Sequence, residues 1–159
     1  MENFIQLKKD NIIRFGIKDV NGKDTGEFLE FDMESVEYPL KLNKCDILHK
    51  KNLEYVKNEF LIIDKKQDHK GKYILSWKEE QKLEVLKEFY KREMEALDLF
   101  LGKDGCKKLL NGREPYYSMY EDIAEAIEQI LPKLKLSVDE IGDKIKEKYG
   151  KKKEENVIE

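Results

Sequence analysis

NIIRFGIKDVNGKDTGEFLEFDM, Asn11 to Met33, decides between an all-helical chain and a mixed one. Ile13, Phe15 and Ile17 alternate with Arg14 and Gly16, and a second apolar run, Phe28 to Phe31, follows Asn21-Gly22. Alternation with period two on both sides of a turn dipeptide marks an antiparallel hairpin, Asn-Gly supplying the positive φ of the turn. A connection longer than two residues is expected. Asp19, Asn21, Asp24 and Glu27 offer oxygen atoms to a hard cation, but the Asp-x-Asp-x-Asp-Gly order and closing Glu of a calcium loop are missing. These residues read as a solvated hairpin tip.

Beyond Pro39 the period changes. From about Lys44, the residues Ile47, Leu48, Leu53, Val56, Phe60 and Ile63 recur at steps of three and four, the stripe of an amphipathic helix that ends before the loop DKKQDHKGK. Ser76-x-x-Glu79, Ser118-x-x-Glu121 and Ser137-x-x-Glu140 each place a serine three residues before a glutamate. Each can exchange bonds with the open amides of a first helical turn, so helices are predicted from Trp77, Met119 and Val138. The first carries Leu83, Leu86, Tyr90, Leu97 and Leu101 along one face, with Phe89, Met94 and Phe100 beside them, and stops at Gly102. The second buries Ile123, Ala124 or Ala126, Ile127, Ile130 and Leu131 up to Pro132. The third carries Ile141, Ile145 and Tyr149 as far as Gly150, and the charged end KKKEENVIE is expected to be disordered. The fold class is therefore α+β, mostly α: an N-terminal antiparallel β-hairpin followed by about four helices. The chain divides into a hairpin region at 1–42, a helical core at 43–135, and a C-terminal helix with a charged tail at 136–159.

A chain of 159 residues fits one domain with a modest core. Charged residues make up 41% of it, with 31 Lys plus Arg nearly balanced by 34 Asp plus Glu, which argues against a phosphate-neutralising basic face and hence against nucleic acid as a partner. No run approaches eighteen apolar residues, and MENFIQLKKD lacks the apolar stretch of a signal peptide. No membrane partner and a cytoplasmic location are the expectations. Cys45 and Cys106 belong to no CxxC or Cys/His pair, so they read as small buried hydrophobes.

Chemistry is hard to find. His49 sits among lysines and His69 in a polar loop, so both read as solvated. Gly102, Gly105 and Gly112 lack the Gly-Lys-Ser/Thr ending of a phosphate loop, and the many carboxylates alternate with lysines along helix faces. No convergent polar set is readable, which points away from an enzyme, a cofactor or a metal site and toward binding. The candidate surface is the segment around FLGKDGCKKLLNGREPYYSMY, residues 100–120. Phe100, Leu101, Leu109 and Leu110 either fold the end of the long helix back as core or join a partner-binding patch. Tyr116, Tyr117 and Tyr120 add polar-tipped aromatic surface of the kind favoured where proteins meet.

The segment LDLFLGKDGCKKLLNGREPYYSMYEDIAEAIEQI resembles a knuckle of tail assembly chaperones from long-tailed phages and prophages of Gram-positive bacteria. Phe100, Gly102, Gly105, Leu109, Leu110, Gly112, Arg113 and Pro115 occupy the matching positions, and the resemblance extends from about Ser76 to Leu134. It implies a small acidic helical protein that coats an aggregation-prone tape measure protein in the cytoplasm of the bacterial host and leaves before the particle is complete. The implied partner is the tape measure protein, with self-association as a homo-oligomer a further option. The competing reading is a small phage-encoded adaptor that binds one host or viral protein through the same tyrosines.

Overall fold

A computed structural model describes the backbone of residues 2–7 and 12–158, and the side chains of 2–7, 12–133 and 138–150. Strand β1 (Ile12–Lys18) pairs antiparallel with β2 (Asp24–Asp32), Ile13 opposite Phe31 and Phe15 opposite Leu29. The connection is longer than two residues. Asp19 organises it: its Oδ1 accepts the N–H groups of Asn21 and Lys23, both at 2.9 Å, and Gly22 takes a φ of 80°. Alternation then puts Ile17, Leu29 and Phe31 inside, while Arg14 and Glu30 pair at 2.7 Å on the outer face.

Helix α1 (Glu37–Asp64) begins well before Lys44. Pro39 falls in its first turn, where a missing N–H removes no intrahelical bond, so the proline is compatible with a helix start rather than marking a break. Helix α2 (Trp77–Leu101) has the predicted limits: Ser76 Oγ accepts the Glu79 N–H at 3.3 Å, and Gly102 ends the helix at φ 90°. The two helices run antiparallel, Asp64 beside Lys82 at one end and Cys45 beside Ala96 at the other. At about 1.5 Å per residue, the 28 residues of α1 make a rod of about 42 Å.

The buried faces keep part of each predicted stripe, Ile63 on α1 and Phe89, Leu97, Phe100 and Leu101 on α2, and add polar residues to it. On α1 the buried residues are Cys45, His49, Asn52 and Ile63, and Ile47 and Leu53 are outside. On α2, Val85, Phe89, Glu93, Ala96, Leu97, Phe100 and Leu101 are buried while Leu83 is exposed. Short α3 (Gly105–Leu110) follows, then α4 (Met119–Ile127), a 3-10 turn at Glu128–Ile130, and α5 (Leu131–Ile158). Pro132 does not end a helix; it lies in the first turn of α5. Ser137 is therefore an interior residue rather than a cap, and α5 passes through Gly150 into the stretch expected to be disordered.

The main core lies where the β-hairpin meets the ends of α1 and α2. Phe31 is its hub, with ring centroids 5.3 Å from Phe100, 5.8 Å from Tyr38 and 5.9 Å from Phe15. Such aromatic contacts add about 0.5–1.5 kcal/mol each to the burial itself.

Candidate interaction face: the glycine knuckle and the histidine beneath it

The path from α2 to α4 is set by backbone demands that explain its glycines. Gly102 N–H bonds back to Asp98 O at 2.9 Å in a left-handed conformation that a Cβ would strain. At Gly105 the constraint is space, since a Cβ would stand 2.4 Å from that of Leu101. Asp98 Oδ1 accepts the Cys106 N–H at 2.9 Å and ties α3 to α2; burial pushes its carboxyl above the usual range. Asn111 and Gly112, both left-handed, then turn the chain toward Pro115.

Six of the seven candidate residues are drawn into the core. Phe100 is 2% exposed and Leu101 4%, as expected of a helix end folded back on its neighbour. Leu109, Leu110, Tyr116 and Tyr120 are half-buried against the same cluster. Arg113 stacks over Tyr116 at 3.9 Å, and the Tyr116 hydroxyl donates to Asp122 Oδ2 at 2.8 Å. Partial burial, then that carboxylate, raises the phenol's pKa. Tyr117 alone among the seven stands out in solvent, 72% exposed.

Beneath the tyrosines lies a group that reading by apolar stripes missed. His49 is buried, contrary to the expectation of a solvated histidine, because its ring stacks flat on Tyr120, centroids 3.6 Å apart and 1° from parallel. Its Nδ1 lies 2.6 Å from Glu93 Oε2, and its Nε2 lies 3.6 Å from Glu121 Oε1. Asn52 Nδ2 donates to the other Glu93 oxygen at 2.8 Å. Both Glu93 oxygens therefore have partners, which a carboxylate only 2% exposed requires. Burial raises the Glu93 pKa, the Asn52 bond and the His49 contact oppose this, and Glu121 adds to it. Burial, then nearby Asp46 and other acidic groups, pushes the Tyr120 phenol up to about 12. Residues from α1, α2 and α4 meet here. With Tyr120 on one face and carboxylates at both nitrogens, the imidazole works as a clamp between helices.

His69 is exposed, as expected, and stacks on Trp77 at 5.3 Å. Both cysteines are buried free thiols; burial lifts the Cys106 pKa to about 12. Among the described residues no three His, Cys, Asp or Glu side chains are grouped to hold a metal ion. No family model, curated sequence or solved structure matches the chain.

Proposed function

We propose that this chain is a binding protein, a phage tail assembly chaperone that covers a tape measure protein in the host cytoplasm, and that it is not an enzyme. The observation that carries this reading is Tyr117, a large aromatic side chain 72% exposed at the rim of the glycine knuckle. The resemblance of that knuckle, Phe100 to Pro115, supplies the client. The chain is densely charged with both signs, which favours keeping free copies apart in solution. Weak contacts of this kind gain strength when many copies line one long client.

Co-purification with the tape measure protein tests the proposal. Tyr117→Ala is expected to weaken recovery of the complex while leaving the helical spectrum and melting temperature unchanged. Tyr120→Ala is the less informative variant, since it also removes the stack on His49. Undiminished recovery with Tyr117→Ala would exclude this surface. A one-to-one complex with a single host protein, without binding to the tape measure protein, would favour the adaptor.

A further inference from the structure

The turn joining α1 to α2 is the apex of the helical rod, at the end away from the β-hairpin. Tyr73 and Ile74, adjacent in the chain, are 79% and 97% exposed there. Lys65, Lys66, Lys70 and Lys72 share the turn with one acid, Asp68. That acid is committed to the scaffold: its Oδ1 accepts the N–H groups of His69 at 2.8 Å and Lys78 at 3.0 Å. Trp77 N–H bonds to His69 O at 2.9 Å, His69 stacks on the Trp77 ring, and Lys66 lies 5.8 Å above that ring. The apex is thus an exposed apolar pair on a bonded, lysine-rich turn, Lys72 Nζ lying 5.7 Å over the Tyr73 ring and Asp64, Glu79 and Glu80 flanking it on the helix ends.

We propose that this apex docks the protein peripherally on an anionic phospholipid surface. The chemistry selects that partner. An exposed apolar tip needs a matching pocket on a folded protein, whereas a fluid bilayer makes room for it between headgroups and acyl chains. Ile74 enters that boundary, the Tyr73 hydroxyl stays among the headgroups, and the lysines lie near acidic headgroups with their aliphatic stems against the apolar layer. A single-stranded nucleic acid would use the lysines and the aromatic rings but gain nothing from Ile74. A two-residue tip is far shorter than the apolar run whose absence suggested no membrane partner. Among the described residues no helix is long and apolar enough to cross a membrane, so the attachment proposed is to the surface. This inference does not rest on the chaperone reading.

The chain's single tryptophan, Trp77, stands at the base of the tip and reports the event. The full chain is titrated with vesicles of phosphatidylcholine and phosphatidylglycerol, about 7:3, and with pure phosphatidylcholine vesicles. Expected are a blue shift of Trp77 emission and co-sedimentation with the anionic vesicles only, reversed by salt. Ile74→Asp should weaken partitioning at least about tenfold. Lys70→Gln with Lys72→Gln should weaken it by about thirtyfold, each lysine being worth about fivefold at such a surface. Circular dichroism confirms that the variants remain folded. The proposal is overturned by no partitioning, by equal partitioning to both vesicle types, or by partitioning that survives Ile74→Asp. It is also overturned if a single-stranded oligonucleotide shifts the emission and the vesicles do not.

Discussion

His49 shows how far a single side chain can depart from what its neighbours in sequence suggest. Lys50 and Lys51 follow it, and that context reads as a wet surface, yet Leu42, Cys45, His49, Asn52 and Val56 recur at alternating steps of three and four. That spacing is the seam α1 turns toward α2, and it was legible only if polar residues were allowed to sit on it. The cluster makes a test of burial against charge. Glu93 holds its proton to higher pH in the folded chain than its ordinary value near 4.5 allows. Between that value and the raised one the folded state binds more protons than the unfolded state, so this residue's contribution to stability falls as pH rises through the window. Glu93→Gln keeps an acceptor for Asn52 and gives His49 Nδ1 a donor. Melting curves should show the variant gaining on the native chain as pH rises above about 4.5. His49→Ala, which strips Glu93 of a partner, should cost about 1–3 kcal/mol at neutral pH. A smaller loss for His49→Ala than for Glu93→Gln would mean that the buried charge is not what the histidine serves.

The Ser-x-x-Glu pattern occurs at three predicted helix starts with three outcomes, because a cap depends on backbone as well as sequence. Ser76 is extended, with ψ at 165°, and its hydroxyl reaches the Glu79 amide. Ser118 has ψ at 15° and makes no side-chain cap bond; its Oγ lies 3.5 Å from Asp122 Oδ2. Ser137 is inside α5. Ser76→Ala should therefore lower stability by about 1 kcal/mol, and Ser118→Ala should be nearly silent. Chemical denaturation of the two variants side by side checks the contrast; equal losses would remove the distinction drawn from ψ. Two prolines account for the shifted helix starts. Pro39 and Pro132 both read as boundaries, but each sits in a first helical turn, so α1 begins earlier than predicted and α5 absorbs its neighbour's start. The α2 limits were legible because a serine cap and a glycine stop acted there without competition.

At the scale of the molecule, one cluster joins segments far apart in the chain. Phe31 from the hairpin, Cys45 from α1, Phe100 from α2, Cys106 from α3 and Ile123 from α4 are all in it. A two-stranded hairpin is marginal alone, so its stability must come from packing on the helices. Val85 and Phe89 lie farther along the rod, outside that cluster, where α1 and α2 have mainly each other to pack against. Two designs compete: one cooperative unit, or a stable hairpin end carrying a rod that opens first. The chain holds probes for both, since far-ultraviolet dichroism averages over all helices whereas Trp77 reports only the far end. Because α1 and α2 each run without interruption from the cluster to the apex, we expect the rod and core to unfold together, with coincident urea midpoints from the two signals. Phe100→Ala should then move both midpoints by the same amount, equivalent to about 3–5 kcal/mol, although Phe100 lies at the opposite end of α2 from Trp77. A Trp77 transition that stays in place while the dichroism shifts would show that the rod opens independently of its base.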